Sequence, residues 1–267
     1  MRAATLLLAI GALQQAPSLE TTLSAVFSYV VTYETRLGDF IADEAMEQNR
    51  LDSSAVGVGR GISWRRWKSE VAFTRLPGGG SWLGYRNVLV VDGTPVGNND
   101  RLQNLLARGP DEKKRAVDLA YASARFNLGM ARTTNMPTLP LEFLHPRHRN
   151  RLTYQLHGIE RVNGRLLRRL SFEEQVRPTL IRDPDGADVW SWGSVWIEES
   201  TSRIFEAEVR SDESSLRVSF AAQPGLDILV PVRMRETFPF HTGRGTGNAR
   251  YSDFRRFATA ARIVPQP

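Results

Sequence analysis

Few residues of this chain stand at spacings that could do chemistry, and each such group reads better as structure. Gly80-Ser81-Trp82-Leu83-Gly84 approaches the sharp turn that lifts a nucleophilic serine, but its second glycine comes one residue late for G-x-S-x-G. It also falls in a Gly-rich hairpin turn, not between a strand and a helix. Glu142, His145 and His148 lie three apart and could ligate a metal. Pro140 and Pro146 break the helical spacing such a site needs, and Arg147 and Arg149 add charge that repels a cation. Glu173 and Glu174 are neighbours on a strand, so they point to opposite faces and make no acid–base pair. Gly57, Gly59 and Gly61 alternate without the helix that would complete a phosphate cradle. The chain has no cysteine, which excludes thiolate nucleophiles, thiolate metal sites and disulfides. No cofactor, no metal site and no catalytic site is expected, and the chain is not expected to be an enzyme. A hydrolase with a site assembled from distant residues is the weakest of the readings.

The aromatic and apolar residues carry more. Trp190, Trp192 and Trp196 share strand parity, while Trp82 and Tyr85 lie in an earlier hairpin on opposite parities. Val230, Val232 and Met234 alternate with Pro231, Arg233 and Arg235, the period of a sheet with one dry face. These eight residues, Trp82, Tyr85, Trp190, Trp192, Trp196, Val230, Val232 and Met234, are the candidates for lining an apolar ligand site. The same stripe fills a core in the plainer reading.

The elements that must position them are mostly strands. Leu19, Leu23, Val26, Val30, Tyr33 and Leu37 recur at three and four, which predicts an amphipathic helix capped near Ser18 and stopped by Gly38. Strands are predicted from residue 39, over 68–76 and over 82–91, with 50–61 as a loop. Asp92-Gly93 and Asn163-Gly164 are the dipeptides that two-residue hairpin turns favour. A helical insert around 100–129 interrupts the sheet, broken at Gly109-Pro110. From 151 the pattern is β, with 192–199 pairing with 204–210 and a last strand over 249–258. Hairpins in sequence order predict a meander that curls into one antiparallel sheet.

At 267 residues the chain has ample apolar material for a core. The net charge of +6 invites a nucleic-acid reading. However, Lys occurs only at Lys68, Lys113 and Lys114, and the many Arg are interleaved with acidic residues, so no nucleic acid is expected. Transient contact with an anionic membrane surface fits the charge better. Arg2 followed by the apolar residues 3–13, with Ala12 and Ala16 beyond, reads as a secretion signal over 1–16. The expected location is therefore periplasmic or secreted.

In order, these elements resemble the outer-membrane lipoprotein carrier (LolA-like) superfamily. The N-terminal helix runs into Gly38-Asp39-Phe40 and residues 44–48, similar to the family's helix and following strand. Residues 193–210 resemble its G-x-x-W hairpin, Leu229-Val230-Pro231-Val232 its strand with a central proline, and Tyr251-Ser252-Asp253-Phe254 its last strand. Residues 182–257 also resemble the C-terminal regions of uncharacterised exported bacterial proteins. The resemblance implies an α+β fold, mostly antiparallel, in a strongly curved half-open barrel with helices covering its concave side. It implies one domain over 17–267 that binds a lipid, a lipoprotein or another acylated ligand non-covalently in an apolar concavity. An envelope protein-interaction module with a packed core and no ligand is the alternative.

Overall fold

The computed structural model describes residues 17–51, 62–73, 84–96, 101–102, 104, 112–183, 185–240 and 243–256. The proposed signal over 1–16, the Gly80–Leu83 turn with Trp82, and the first part of the helical insert lie outside these residues. Helix α1 (Leu19–Leu37) starts where the Ser18 hydroxyl accepts from the Thr21 amide at 3.2 Å. Glu20 in its first turn and Arg36 in its last suit the helix dipole. Its buried stripe is Leu23, Val26, Phe27, Val30, Tyr33 and Leu37, each worth on the order of 2 kcal/mol on burial. Ser28, Thr32 and Thr35 on the opposite side bond back to carbonyls four residues earlier. No helix among the described residues is long and apolar enough to cross a membrane.

Among the described residues eleven strands form one sheet. In chain order these are β1 (Phe40–Leu51), β2 (Ile62–Ala72), β3 (Tyr85–Val91), β4 (Thr94–Pro95), β5 (Leu152–Val162), β6 (Arg165–Glu174), β9 (Trp192–Ile197), β10 (Ile204–Arg210), β11 (Ser215–Ala222), β12 (Leu229–Phe240) and β13 (Gly243–Arg256). The short β7 (Ile181–Arg182) and β8 (Asp188–Val189) pair only with each other. The spatial order is β4-β3-β2-β1-β13-β12-β11-β10-β9-β6-β5, and every pairing is antiparallel. The fold is α+β, with one large curved sheet that does not close into a barrel. The predicted meander is present, with one departure: β1 and β13 lie side by side, joining an N-terminal meander to a C-terminal one. Both predicted hairpin turns form, with positive φ at Asp92-Gly93 and at Asn163-Gly164.

One face of the sheet, the inner one, is covered by α1, by the short helix α3 (Leu139–Glu142) and by the chain between them and α2 (Glu112–Ala124). Phe27 meets Tyr154 of β5 at 5.7 Å, Tyr33 meets Phe220 of β11 at 6.0 Å, and Phe143 stacks on Phe172 of β6 at 5.1 Å. One helix of the insert departs from the expectation that helices cover the concave side. α2 lies along β3, and its Leu119 joins Leu102 over Ile41, Ala72 and Tyr85. Those three alternate with inner-face residues, so this second core sits on the outer face. Strand β13 begins at Gly243, earlier than predicted, because Gly245 and Gly247 hide its alternation. A Cβ at Gly247 would run into the Glu236 carboxylate across the β12–β13 pair.

Candidate functional site

The inner face changes character along the sheet. Beneath α1 it is apolar: Val195, Ala207, Val218, Phe220 and Met234 belong to one continuous core and are fully or nearly fully buried. Toward β1, the same register carries polar side chains. Glu44 and Gln48 share the inward parity of Ala42 and Met46, and Glu236 that of Met234 and Phe238.

These residues form a buried, connected network. Arg86 grips Glu44 bidentately, Nε to Oε2 at 2.5 Å and Nη2 to Oε1 at 2.8 Å, with both side chains essentially inaccessible. Ser69 donates to Glu44 at 2.7 Å, and Trp67 at 3.4 Å. Arg86 also donates to the carbonyl of Asn135 at 3.0 Å. Asn135 donates to Asn127, which also accepts from Gln48 at 2.9 Å. Gln48 donates to Glu236 at 2.6 Å, and Arg132 donates to that carboxylate at 2.9 Å while lying over the Phe238 ring. Residues 126–136 are thus strapped across the inner face by hydrogen bonds. Burial alone would raise the Glu44 carboxyl, but the Arg86 charge and the Arg86 and Ser69 hydrogen bonds outweigh it and hold the pKa below the ordinary 4.5. Burial, followed by the nearby Glu44 charge, pushes Tyr251 well above its usual range.

The outer face can be read as rows across the strands. One row runs Trp64, Asn49, Thr246, Thr237, Ser215, Arg210, Trp192 and Glu173. The next runs Arg66, Glu47, Asn248, Arg235, Arg217, Glu208 and Ser194, and the third Lys68, Ala45, Arg250, Arg233, Ser219, Glu206, Trp196 and Arg169. An open furrow of about 1010 Å³ crosses this face between Gln155 and Arg217, with Trp192 and Trp196 in its wall. Trp196 donates to Glu160 at 2.8 Å and lies under the Arg217 guanidinium. Trp192 remains 38% exposed.

The eight predicted candidates therefore do not meet in one place. Met234 is in the inner core opposite Val218, while Val230, fully buried in the same cluster, stands opposite Ala221 and so has the other parity. Val232 is displaced by a bulge: Ser219 faces Arg233 and Phe220 faces Pro231, leaving Val232 without a partner on β11 and only partly buried. Trp192 and Trp196 are together, but on the outer face, because Val195 between them points inward. Trp190 precedes β9, half-exposed beneath Arg177. Tyr85 is in the small outer core, and Trp82 is outside the described residues. Glu142 and His148 do meet, at 3.0 Å, with Arg147 also on Glu142. Among the described residues no three ligating side chains gather for a metal.

Sequence reading missed the network of Glu44, Gln48, Arg86, Asn127, Arg132, Asn135 and Glu236. The available signal was a polar residue standing in an apolar register, visible at Glu44, Gln48 and Glu236.

No family model and no curated protein matches the chain. Among solved structures it is similar to a DUF1329 family protein from Desulfovibrio piger, at 15% identity over 91% of this chain and 95% of that one, TM-score 0.43. A domain named for outer membrane lipoprotein sorting, from Vibrio parahaemolyticus, is similar at 12% identity over 92% and 95%, TM-score 0.43. The Mycobacterium tuberculosis lipoprotein LppX is similar at 12% identity over 91% and 99%, TM-score 0.27. At such identities and TM-scores neither a family nor a role passes from them to this chain.

Proposed function

We propose that the protein is an exported binding module of the cell envelope, without catalytic chemistry, whose inner face is a packed core and whose outer face meets its partner. The observation that carries this reading is the distribution of space. Val218 and Met234 on the inner face have no accessible surface, whereas the open furrow lies on the other side of the sheet. Small-to-large substitution tests it. Val218→Trp costs about 1–3 kcal/mol in urea unfolding if the inner face is packed. Unchanged stability would mean that the bulk enters a ligand cavity, and the packed-core reading would fall.

A second reading keeps the lipid, lipoprotein or acylated ligand in the concavity, reached by lifting the cover. It is favoured by the strap over 126–136, which is held by hydrogen bonds at Gln48, Arg86 and Glu236 and so can part without exposing a wholly apolar seam. Each acyl CH₂ then buried would contribute about 0.8 kcal/mol.

A further inference from the structure

We infer that the outer face docks on an anionic lipid bilayer through four cations at its centre, Lys68, Arg233, Arg235 and Arg250. This deepens the proposed reading of the outer face by naming its partner. Most cations on that face have a carboxylate at hand. Arg66 is 3.2 Å from Glu47, Arg217 3.2 Å from Glu206, Arg210 2.9 Å from Glu208, and Arg169 2.8 Å from Glu160. The four do not: all are exposed, and none has a hydrogen bond or ion pair among the described residues. Moreover, the register sets like charges directly opposite each other, Arg233 across from Arg250 and Arg235 across from Arg217. Such pairs are destabilising in the free protein, and a surface of negative charge removes the cost.

The geometry favours a bilayer over other polyanions. Neighbouring strands stand ~4.8 Å apart and like-facing residues on one strand ~6.7 Å apart. The charges thus form a two-dimensional array across β2, β13 and β12, suited to a plane of headgroups, not a single line tracking a nucleic-acid backbone. On the same face, Trp64 and Trp192 share a single row, 53% and 38% exposed, Trp64 on β2 with Lys68 and Trp192 on β9 beyond the cations of β12. Indole rings held this way are suited to the interface between headgroups and water.

Co-sedimentation with phosphatidylcholine vesicles, with and without phosphatidylglycerol, tests the inference on the folded chain. Binding is expected only to the anionic vesicles and is expected to weaken with added salt. Arg233→Gln/Arg250→Gln should weaken it about 25-fold, about fivefold or ~1 kcal/mol per Arg. Arg36→Gln/Arg149→Gln removes the same charge from cations paired elsewhere, with Asp227 and Glu20, and should change binding less than about twofold. Thermal melting provides a second readout: relief of the Arg233–Arg250 opposition should leave the outer-face variant at least as stable as the parent. Equal losses from both double variants, no binding to anionic vesicles, or binding to duplex DNA or a polyglutamate peptide in their place would each overturn the inference. Because the Val218 substitution reads only the inner face, failure here leaves the packed-core reading standing, and failure there does not remove the docking surface.

Discussion

The two faces of the sheet treat charge in opposite ways. On the inner face, Glu44 and Glu236 are each met by a guanidinium from the chain itself, Arg86 and Arg132, and the remaining polar atoms are taken up by Gln48, Asn127 and Asn135. On the outer face, Lys68, Arg233, Arg235 and Arg250 are left side by side without carboxylate partners among the described residues. A charge that the fold must bury is paired internally, because an unpaired one would cost several kcal/mol. A charge left bare in the middle of an otherwise paired surface is available to something outside the molecule. The contrast therefore separates a face that is finished from one that is not.

The inner side of this contrast is broken most sharply at the buried pair. Arg86→Met strands the Glu44 carboxylate and should cost about 3–5 kcal/mol, whereas Glu44→Leu/Arg86→Met should recover most of the loss. Urea unfolding of both variants measures this. If the single change costs less than about 1 kcal/mol, water reaches the pair and the inner face is open. A smaller effect follows from acid. The Glu44 pKa is lower in the folded protein than in the unfolded chain, so its stabilising contribution is complete above about pH 4.5 and is lost as pH falls through the lowered folded value. Melting temperature against pH should therefore fall less steeply below pH 4.5 in the double variant than in the parent.

Much of the fold was legible, since alternation and turn dipeptides are local signals. Helix α1, the Asp92-Gly93 and Asn163-Gly164 hairpins and strands β9 to β11 follow from residues close in sequence. The β1–β13 pairing does not, because nothing near Phe40 records that Arg256 will lie beside it. Strand β13 was only half legible, since Gly245 and Gly247 leave no side chains to alternate. Parity correctly grouped Trp192 with Trp196 but could not say which face they share, and the bulge at Val232 broke a run that reads as regular in sequence. The polar network was readable only as an anomaly, carboxylates where the register calls for apolar residues. Its partners Asn127, Arg132 and Asn135 come from an irregular segment with no period to follow. The bare cations of β12 were visible as outward-facing arginines, but their lack of partners is a property of the assembled sheet.

The division between a closed inner face and a receptive outer one is tested most directly by organic extraction and mass spectrometry of the protein purified from its native cells without detergent. The parent, washed in high salt to strip the outer face, should yield no stoichiometric lipid. One lipid per protein that survives the salt wash, and survives equally in Arg233→Gln/Arg250→Gln, would place the ligand inside the concavity and contradict the packed core.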